Sequence, residues 1–170
     1  MADNHSRLIV VKAGEGERVD LGGLGVDFKV RGSQTGGSIA VVEHPIEARR
    51  WVPPHTHSKE DELSYVIEGT IGARIGDEIA VIEAGSYVFK PRGVKHTFWN
   101  PTDSPARLLE MIVPAGFDDY FMELGRFFGS GGVPGSPEHQ ALSTPYGLEL
   151  SGDWIAELKS RYGLKMLGEP

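Results

Sequence analysis

The stretch 53-PPHTHSKEDELSYVIEG-69 places three potential metal ligands within eight residues. Side chains two apart on a strand face the same side, so His55 and His57 can offer two imidazoles to one ion. Glu62 lies five residues beyond His57, a spacing that lets an adjacent strand return the carboxylate to the same interior. His96 follows a Pro-Arg-Gly turn and heads another strand. Three imidazoles and one carboxylate suit Fe, Ni, Mn, Cu, Co or Zn, among which the residue types do not choose.

On both sides of this stretch, short apolar or alternating runs are separated by many of the 23 glycines and 11 prolines. This punctuation is typical of a turn-rich β protein. Gly76-Asp77 predicts a tight hairpin. The absence of a helical pattern before residue 116 favours an antiparallel β-barrel or sandwich. Strands are predicted over residues 7–11, 26–30, 38–43, 62–68, 70–75, 80–82, 85–90, 96–100 and 106–113.

Beyond the strands, an aromatic stripe over residues 117–128 recurs at intervals of three and four and predicts an amphipathic helix. Packing against the barrel is the favoured role of this stripe over a dimer contact or a cover for a ligand. Residues 130–136 are rich in Gly, Pro and Ser and indicate a flexible linker. Asp153 is predicted to cap a second helix that ends at Gly163. The predicted organisation is one domain, with a β-barrel over 1–115 and a helical extension over 116–170 packed on it.

Composition excludes several classes of protein. A net charge of −7 and a pI near 5.3 disfavour binding to nucleic acid or to a membrane surface. With no cysteine, disulfide frameworks, thiolate metal sites and cysteine nucleophiles are excluded. No secretory signal is visible at the N-terminus, so a cytoplasmic location is expected.

Two groups of residues resemble the two motifs of the cupin superfamily. The first group consists of His55, His57, Glu62 and Gly69, and the second group ends at Asn100. In both groups the spacing between the residues is that of the family. One departure is Arg49, which stands where the first motif usually opens with glycine. Across residues 8–128 the chain is similar to single-domain, quercetin-dioxygenase-like cupins. The second group consists of Gly85, Pro91, Gly93, His96 and Asn100.

The resemblance implies a cupin-type barrel (a double-stranded β-helix, or jelly roll) with C-terminal helices. It also implies one divalent transition metal per chain, held by His55, His57, Glu62 and His96, with Glu62 as the candidate catalytic base. The expected activity is that of a metal-dependent dioxygenase acting on a small aromatic or enolic molecule. Three alternatives stay open: a metal-dependent isomerase, decarboxylase or hydrolase, a non-catalytic metal- or ligand-binding cupin, and a barrel with a vestigial site. Cupins of this size are commonly homodimers, so a homodimer is expected.

Strand parity extends the site beyond the metal ligands. If His96 and Glu62 point inward, then Phe98, Asn100, Ser64 and Val66 follow them and form a candidate substrate-binding surface. For Asn100, a role in holding a strand or turn is an equal alternative. The other ionisable residues near the motifs are expected in solvent or in exposed loops. These are His5, His44, His139, Glu60, Asp61, Lys90, Arg92 and Lys95.

Overall fold

The computed structural model describes residues 8–169, whose strands form two mainly antiparallel β-sheets. The first sheet has the order β1-β2-β3-β11-β6-β9. In the second sheet the order is β12-β5-β10-β4-β13, with β7 paired to β10 and β8 paired to β7. The strands are β1 Glu17–Asp20, β2 Gly25–Val30, β3 Ala40–Ile46, β4 Arg50–Trp51, β5 His55–His57, β6 Asp61–Glu68, β7 Thr70–Ile75, β8 Glu78–Glu83, β9 Tyr87–Lys90, β10 His96–Trp99, β11 Ala106–Val113, β12 Leu148–Leu150 and β13 Lys165–Met166.

Alternating burial along the strands decides which side chains face the interior. In β3, β6 and β11 every second residue is buried, and these buried positions form one wall of the core. Gly72 on β7 allows the indole ring of Trp99 to lie against its backbone, because a Cβ there would be 2.1 Å from that ring. The predicted all-β fold with an antiparallel barrel is confirmed, and the hairpin at Gly76-Asp77 joins β7 to β8 as expected.

Arg49 adopts a left-handed backbone conformation, with a φ of 58°. The resembling cupin motif usually has glycine at this position, a residue that adopts this conformation without strain, whereas arginine is strained there. The Arg49 guanidinium binds the Asp103 carboxylate, at 2.8 and 2.9 Å, and donates to the carbonyl oxygens of Pro101 and Tyr162. These bonds offset the backbone strain.

The described residues include three α-helices after β11. Helices α1 Asp118–Gly129 and α2 Pro137–Ser143 lie between β11 and β12, and α3 Ile155–Tyr162 lies between β12 and β13. The expected helix over 117–128 is α1, whereas α2 lies directly after the predicted linker and the sequence pattern missed it. Asp153 does not cap α3. Trp154 occupies that position in a left-handed conformation, and the Asp153 carboxylate instead pairs with Lys95. Among residues 8–169, no helix has the length and apolarity needed to cross a membrane.

The two ends of the chain also depart from expectation. The predicted strand at 7–11 is wrong over its described part, because residues 8–11 pair with no strand, while β1 was not predicted. Residues beyond 116 contribute more than helices. Strand β12 pairs with β5, and β13 pairs in parallel with β4. The C-terminal part therefore completes the second sheet, beside the strand that carries His55 and His57.

Candidate metal centre and cavity

Four buried side chains from three strands meet inside the barrel: His55 and His57 on β5, Glu62 on β6 and His96 on β10. Each offers a ligand atom, and these atoms all lie within 4.8 Å of one another. Strand pairing brings them together, since His96 is the direct partner of His55 across the β5/β10 pair. The four residues that the sequence motifs nominate as metal ligands are thus one cluster.

Hydrogen bonds orient two of the three imidazoles. Nδ1 of His55 lies 2.7 Å from the Pro53 carbonyl oxygen, and Nδ1 of His96 lies 2.9 Å from that of Val94. A carbonyl only accepts, so each Nδ1 carries the hydrogen and each Nε2 presents a lone pair. His57 has a carboxylate instead, with Nδ1 3.4 Å from Glu60 Oε2. Partners of this kind on the outer ring nitrogen are typical of metal-ligating histidines.

Protonation of the site also suits a metal ion. Burial, reinforced by the neighbouring imidazoles, lowers the pKa of His55 well below its ordinary value, and burial lowers the pKa of His96. Both rings are therefore neutral at pH 7. The His96 Nε2 lone pair faces Glu62 Oε2 at 3.2 Å, and Nε2 of neither His57 nor His96 has a hydrogen-bond partner among the described residues. A cation between these lone pairs would satisfy them, so the residues fit a divalent transition metal.

A buried lysine lies directly behind the ligand carboxylate. Lys90 Nζ is 2.9 Å from Glu62 Oε2 and 2.7 Å from Glu110 Oε2, and Lys90 is 1% exposed. Burial alone would raise the pKa of Glu62, but Lys90 and His57 outweigh it and hold that pKa well below its usual range. The pKa of Glu110 is raised to about 7 by burial, despite Lys90. The expectation that Lys90 is a solvated turn residue is wrong, because it ends β9 directly opposite Glu62.

The four-residue cluster opens into a cavity inside the barrel. Three of the four clustered residues, His55, His57 and Glu62, line it, together with Glu110 and His44. Most of the remaining wall is aliphatic or aromatic, and none of the described lysines or arginines reaches it. The apolar part of the lining consists of Leu21, Leu24, Val52, Pro53, Phe98, Phe117, Phe121, Leu124, Phe128, Pro134, Leu148, Leu150 and Leu167.

The C-terminal extension closes one side of this cavity through a buried polar network. Tyr120 Oη lies 2.9 Å from His139 Nε2 and 3.0 Å from Ser143 Oγ, and His139 Nδ1 accepts from the amide of Gly135 at 3.0 Å. His139 was expected in solvent, but it is 3% exposed because α2 packs it against α1. Both of its nitrogens have partners within the protein.

The predicted substrate-binding residues have different surroundings. Phe98 lines the cavity. Ser64 points inward, but its hydroxyl donates to Glu110 at 3.0 Å, and Val66 packs in the core, so neither forms part of the lining.

Asn100 was misassigned by strand parity. Its amide donates to the carbonyl oxygens of Glu47 and Ser104, and its Oδ1 accepts from the amide and hydroxyl of Thr102. Strand β10 ends at Trp99, so Asn100 belongs to a turn that its side chain stabilises.

Two further residues were wrongly expected in solvent or in an exposed loop. His44 is 2% exposed because it lies on the inward face of β3, and Glu60 is 4% exposed because it packs beside His57. Asp61 and Arg92 form a partly exposed ion pair. His5 lies outside the described residues. The alternation of Ala40, Val42 and Ile46 around His44 was the signal that could have placed it inside.

Comparison with known proteins agrees with this architecture. Residues 45–112 match the cupin domain family. A quercetin 2,3-dioxygenase from Aspergillus japonicus is 38% identical over 79 residues, which cover 44% of this chain and 22% of that protein. The chain therefore corresponds to less than a quarter of the length of this relative.

Solved structures share the fold at low sequence identity. An RmlC-like cupin from Shewanella frigidimarina superposes with a TM-score of 0.58 at 22% identity, over 68% of this chain and 98% of that one. KdgF from Halomonas sp. gives 0.57 at 15% identity, over 64% and 97%. A predicted oxalate decarboxylase from Thermotoga maritima gives 0.57 at 18% identity, over 62% and 98%. Residues 45–112 thus match the cupin domain family, and the described barrel has the fold of these cupin structures.

Proposed function

We propose that this chain is a metal-dependent oxidoreductase, a dioxygenase that acts on a small aromatic or enolic molecule. The observation that carries the proposal is a set of three histidines and one glutamate that opens into an aromatic-walled cavity without a lysine or arginine among its described lining residues. The local similarity to a quercetin 2,3-dioxygenase points in the same direction.

His55, His57, Glu62 and His96 would hold one divalent transition metal per chain. When bound, the metal would supply Lewis acidity and an electron path between an organic substrate and dioxygen. The protein's own contribution is to fix the ligands: backbone carbonyls orient two imidazoles, and Glu60 faces the third. Lys90 holds one oxygen of Glu62.

Glu62 is the proposed catalytic base. Because Lys90 lies 2.9 Å from Oε2, the oxygen left to accept a proton from a substrate hydroxyl is Oε1. Phe98 and Phe117 offer ring faces and edges to a planar substrate. The same wall provides no counter-charge for a phosphate or a dianion such as oxalate, which favours an aromatic or enolic substrate over a sugar phosphate or dicarboxylate.

Metal loading combined with oxygen uptake tests the proposal. Chelator-treated protein would be reconstituted separately with Fe, Mn, Co, Ni, Cu or Zn and mixed with a flavonol, a catechol or a β-diketone in an oxygen-electrode cell. We expect near-stoichiometric metal and, with at least one redox-active metal, oxygen uptake that matches substrate loss. Product formation without oxygen uptake would indicate an isomerase, decarboxylase or hydrolase, and stabilisation by the compound without turnover would indicate a binding protein.

Two variants make the metal measurement specific. His55→Ala/His57→Ala removes two ligands and should abolish metal retention and oxygen uptake together. Thr56→Ala is the matched control, because Thr56 lies between the two ligands but on the opposite face of β5. Equal metal content in all three proteins would contradict the proposed centre.

A further inference from the structure

His44 is a buried cavity residue for which the proposed reaction has no use. It lies on the inward face of β3, is 2% exposed and is not one of the four clustered metal ligands. Its ring packs near Phe98 and edge-on to Phe121, with centroid distances of 6.2 and 5.4 Å, and all three residues line the cavity. The two aromatic rings around His44 are apolar, so its polar ring requires an explanation.

The hydrogen bonding of His44 determines which of its nitrogens carries a hydrogen. Nδ1 lies 2.9 Å from the carbonyl oxygen of Gly25, which can only accept, so Nδ1 donates. Burial lowers the pKa of His44 to about 4, so the ring is neutral at pH 7. Nε2 therefore carries a lone pair and no hydrogen. It has no hydrogen bond to a described residue and is not among the fully enclosed unpaired atoms, so it is accessible from the cavity that His44 lines.

We propose that His44 Nε2 is a ligand-binding acceptor, which receives a hydrogen bond from a hydroxyl group of the bound molecule at a point separate from the metal ligands. An unpaired acceptor inside an apolar cavity is costly unless a donor reaches it, and a ligand hydroxyl satisfies it directly. The natural ligand then carries at least one hydroxyl besides the group that faces the metal. This inference rests on the ligand class proposed above but not on a reaction with oxygen.

His139, which also lines the cavity but is not among the clustered residues, supplies a contrast. Nε2 of His139 bonds Tyr120 and its Nδ1 accepts from Gly135, so both nitrogens are already used within the protein. A buried, cavity-lining histidine is thus not by itself an acceptor for ligand. His139→Phe serves as a matched control for His44→Phe, because each replaces a cavity imidazole by a phenyl ring.

The test compares phenol with toluene, which replaces the hydroxyl by a methyl group of similar size. Both would be titrated by calorimetry into metal-free protein, so that neither metal coordination nor turnover contributes. We expect the wild type to bind phenol about three- to tenfold more tightly than toluene, the range for one neutral hydrogen bond. His44→Phe should abolish this preference and His139→Phe should retain it. Absence of the preference in the wild type, or its survival in His44→Phe, would overturn the proposal.

Nitrogen-15 NMR of the wild type gives an answer that does not depend on the folding of His44→Phe. Phenol should shift the resonance of the unprotonated His44 Nε2, whereas toluene should leave it in place. His44→Gln, which keeps a polar side chain at this position, would assign the resonance. If the Nε2 signal does not respond to phenol, the proposed role of His44 is refuted, even if the oxygen-uptake experiment succeeds. If the signal responds but no oxygen is consumed, His44 is a ligand-binding residue of a protein with another function.

Discussion

Replacement of Lys90 by methionine tests the charge arrangement behind the metal site. The ammonium group lies 2.9 Å from Glu62 and 2.7 Å from Glu110 and is almost fully buried. Lys90→Met keeps the length of the side chain but leaves two carboxylates without their cation. Breaking a buried ion pair on one side costs about 3–5 kcal/mol, since the remaining charge stays desolvated. We expect a loss of that size in the free energy of unfolding of the metal-free protein.

A double-mutant cycle separates the pair from simple loss of packing. Lys90→Met and Glu110→Gln would be measured singly and together by urea unfolding at about pH 9, above the pKa of about 7 of Glu110 in the wild type. The double variant leaves no unpaired Glu110 carboxylate. Its loss of unfolding free energy should therefore be smaller than the two single losses added together, by a coupling energy of about 2 kcal/mol or more.

The control for this cycle is Lys95→Met. Lys95 lies at the neighbouring turn and pairs with Asp153 at the surface, so its loss should cost no more than about 1 kcal/mol. If Lys90→Met costs as little as Lys95→Met, or if the Lys90 and Glu110 substitutions add without coupling, the reasoning about a buried charge network fails.

Three further predictions concern single positions. The pKa of His44 is about 4 in the folded chain and 6.5 ordinarily. Between these two values the unfolded chain binds more protons than the folded chain, so the free energy of unfolding falls as pH falls. In urea unfolding, the wild type should lose about 3 kcal/mol more of this free energy than His44→Gln between pH 7 and pH 4. Gly72→Ala should cost about 1–3 kcal/mol in thermal unfolding because its Cβ would meet Trp99, whereas Gly129→Ala, with open space around it, should not destabilise. Arg49→Gly should be about 1 kcal/mol more stable than Arg49→Ala, since both lose the guanidinium bonds but only alanine keeps the left-handed strain; equal stabilities would contradict this.

The sequence predicted which four side chains cluster inside the barrel, because ligand chemistry restricts both residue type and spacing. The pair His55 and His57 must share a strand face, and their agreement with Glu62 and His96 at family spacing left few alternatives. Strand positions followed from turn glycines and apolar alternation. A homodimer and a cytoplasmic location stay predictions.

Prediction was poorer for the C-terminal third, where elements depend on tertiary contacts. Strand β12 has three residues and β13 has two, too short for any periodicity to appear in the sequence. They exist because they pair with β5 and β4. The cavity wall formed by Leu148, Leu150 and Leu167 could therefore not be anticipated from local pattern.

The misplacement of His44 and Lys90 had a different cause, which strand geometry could have corrected. His44 was expected in solvent because it precedes Pro45 at a predicted strand end, and Lys90 because it lies near a turn, yet each occupies a position whose direction is set by its neighbours. Lys90 is the direct partner of Glu62, and residues directly opposite in an antiparallel pair share a face. Once Glu62 is required to point at the metal, Lys90 must point the same way, and its charge must be balanced by a carboxylate within reach. That requirement predicts a second buried acid, the role that Glu110 has in the structure.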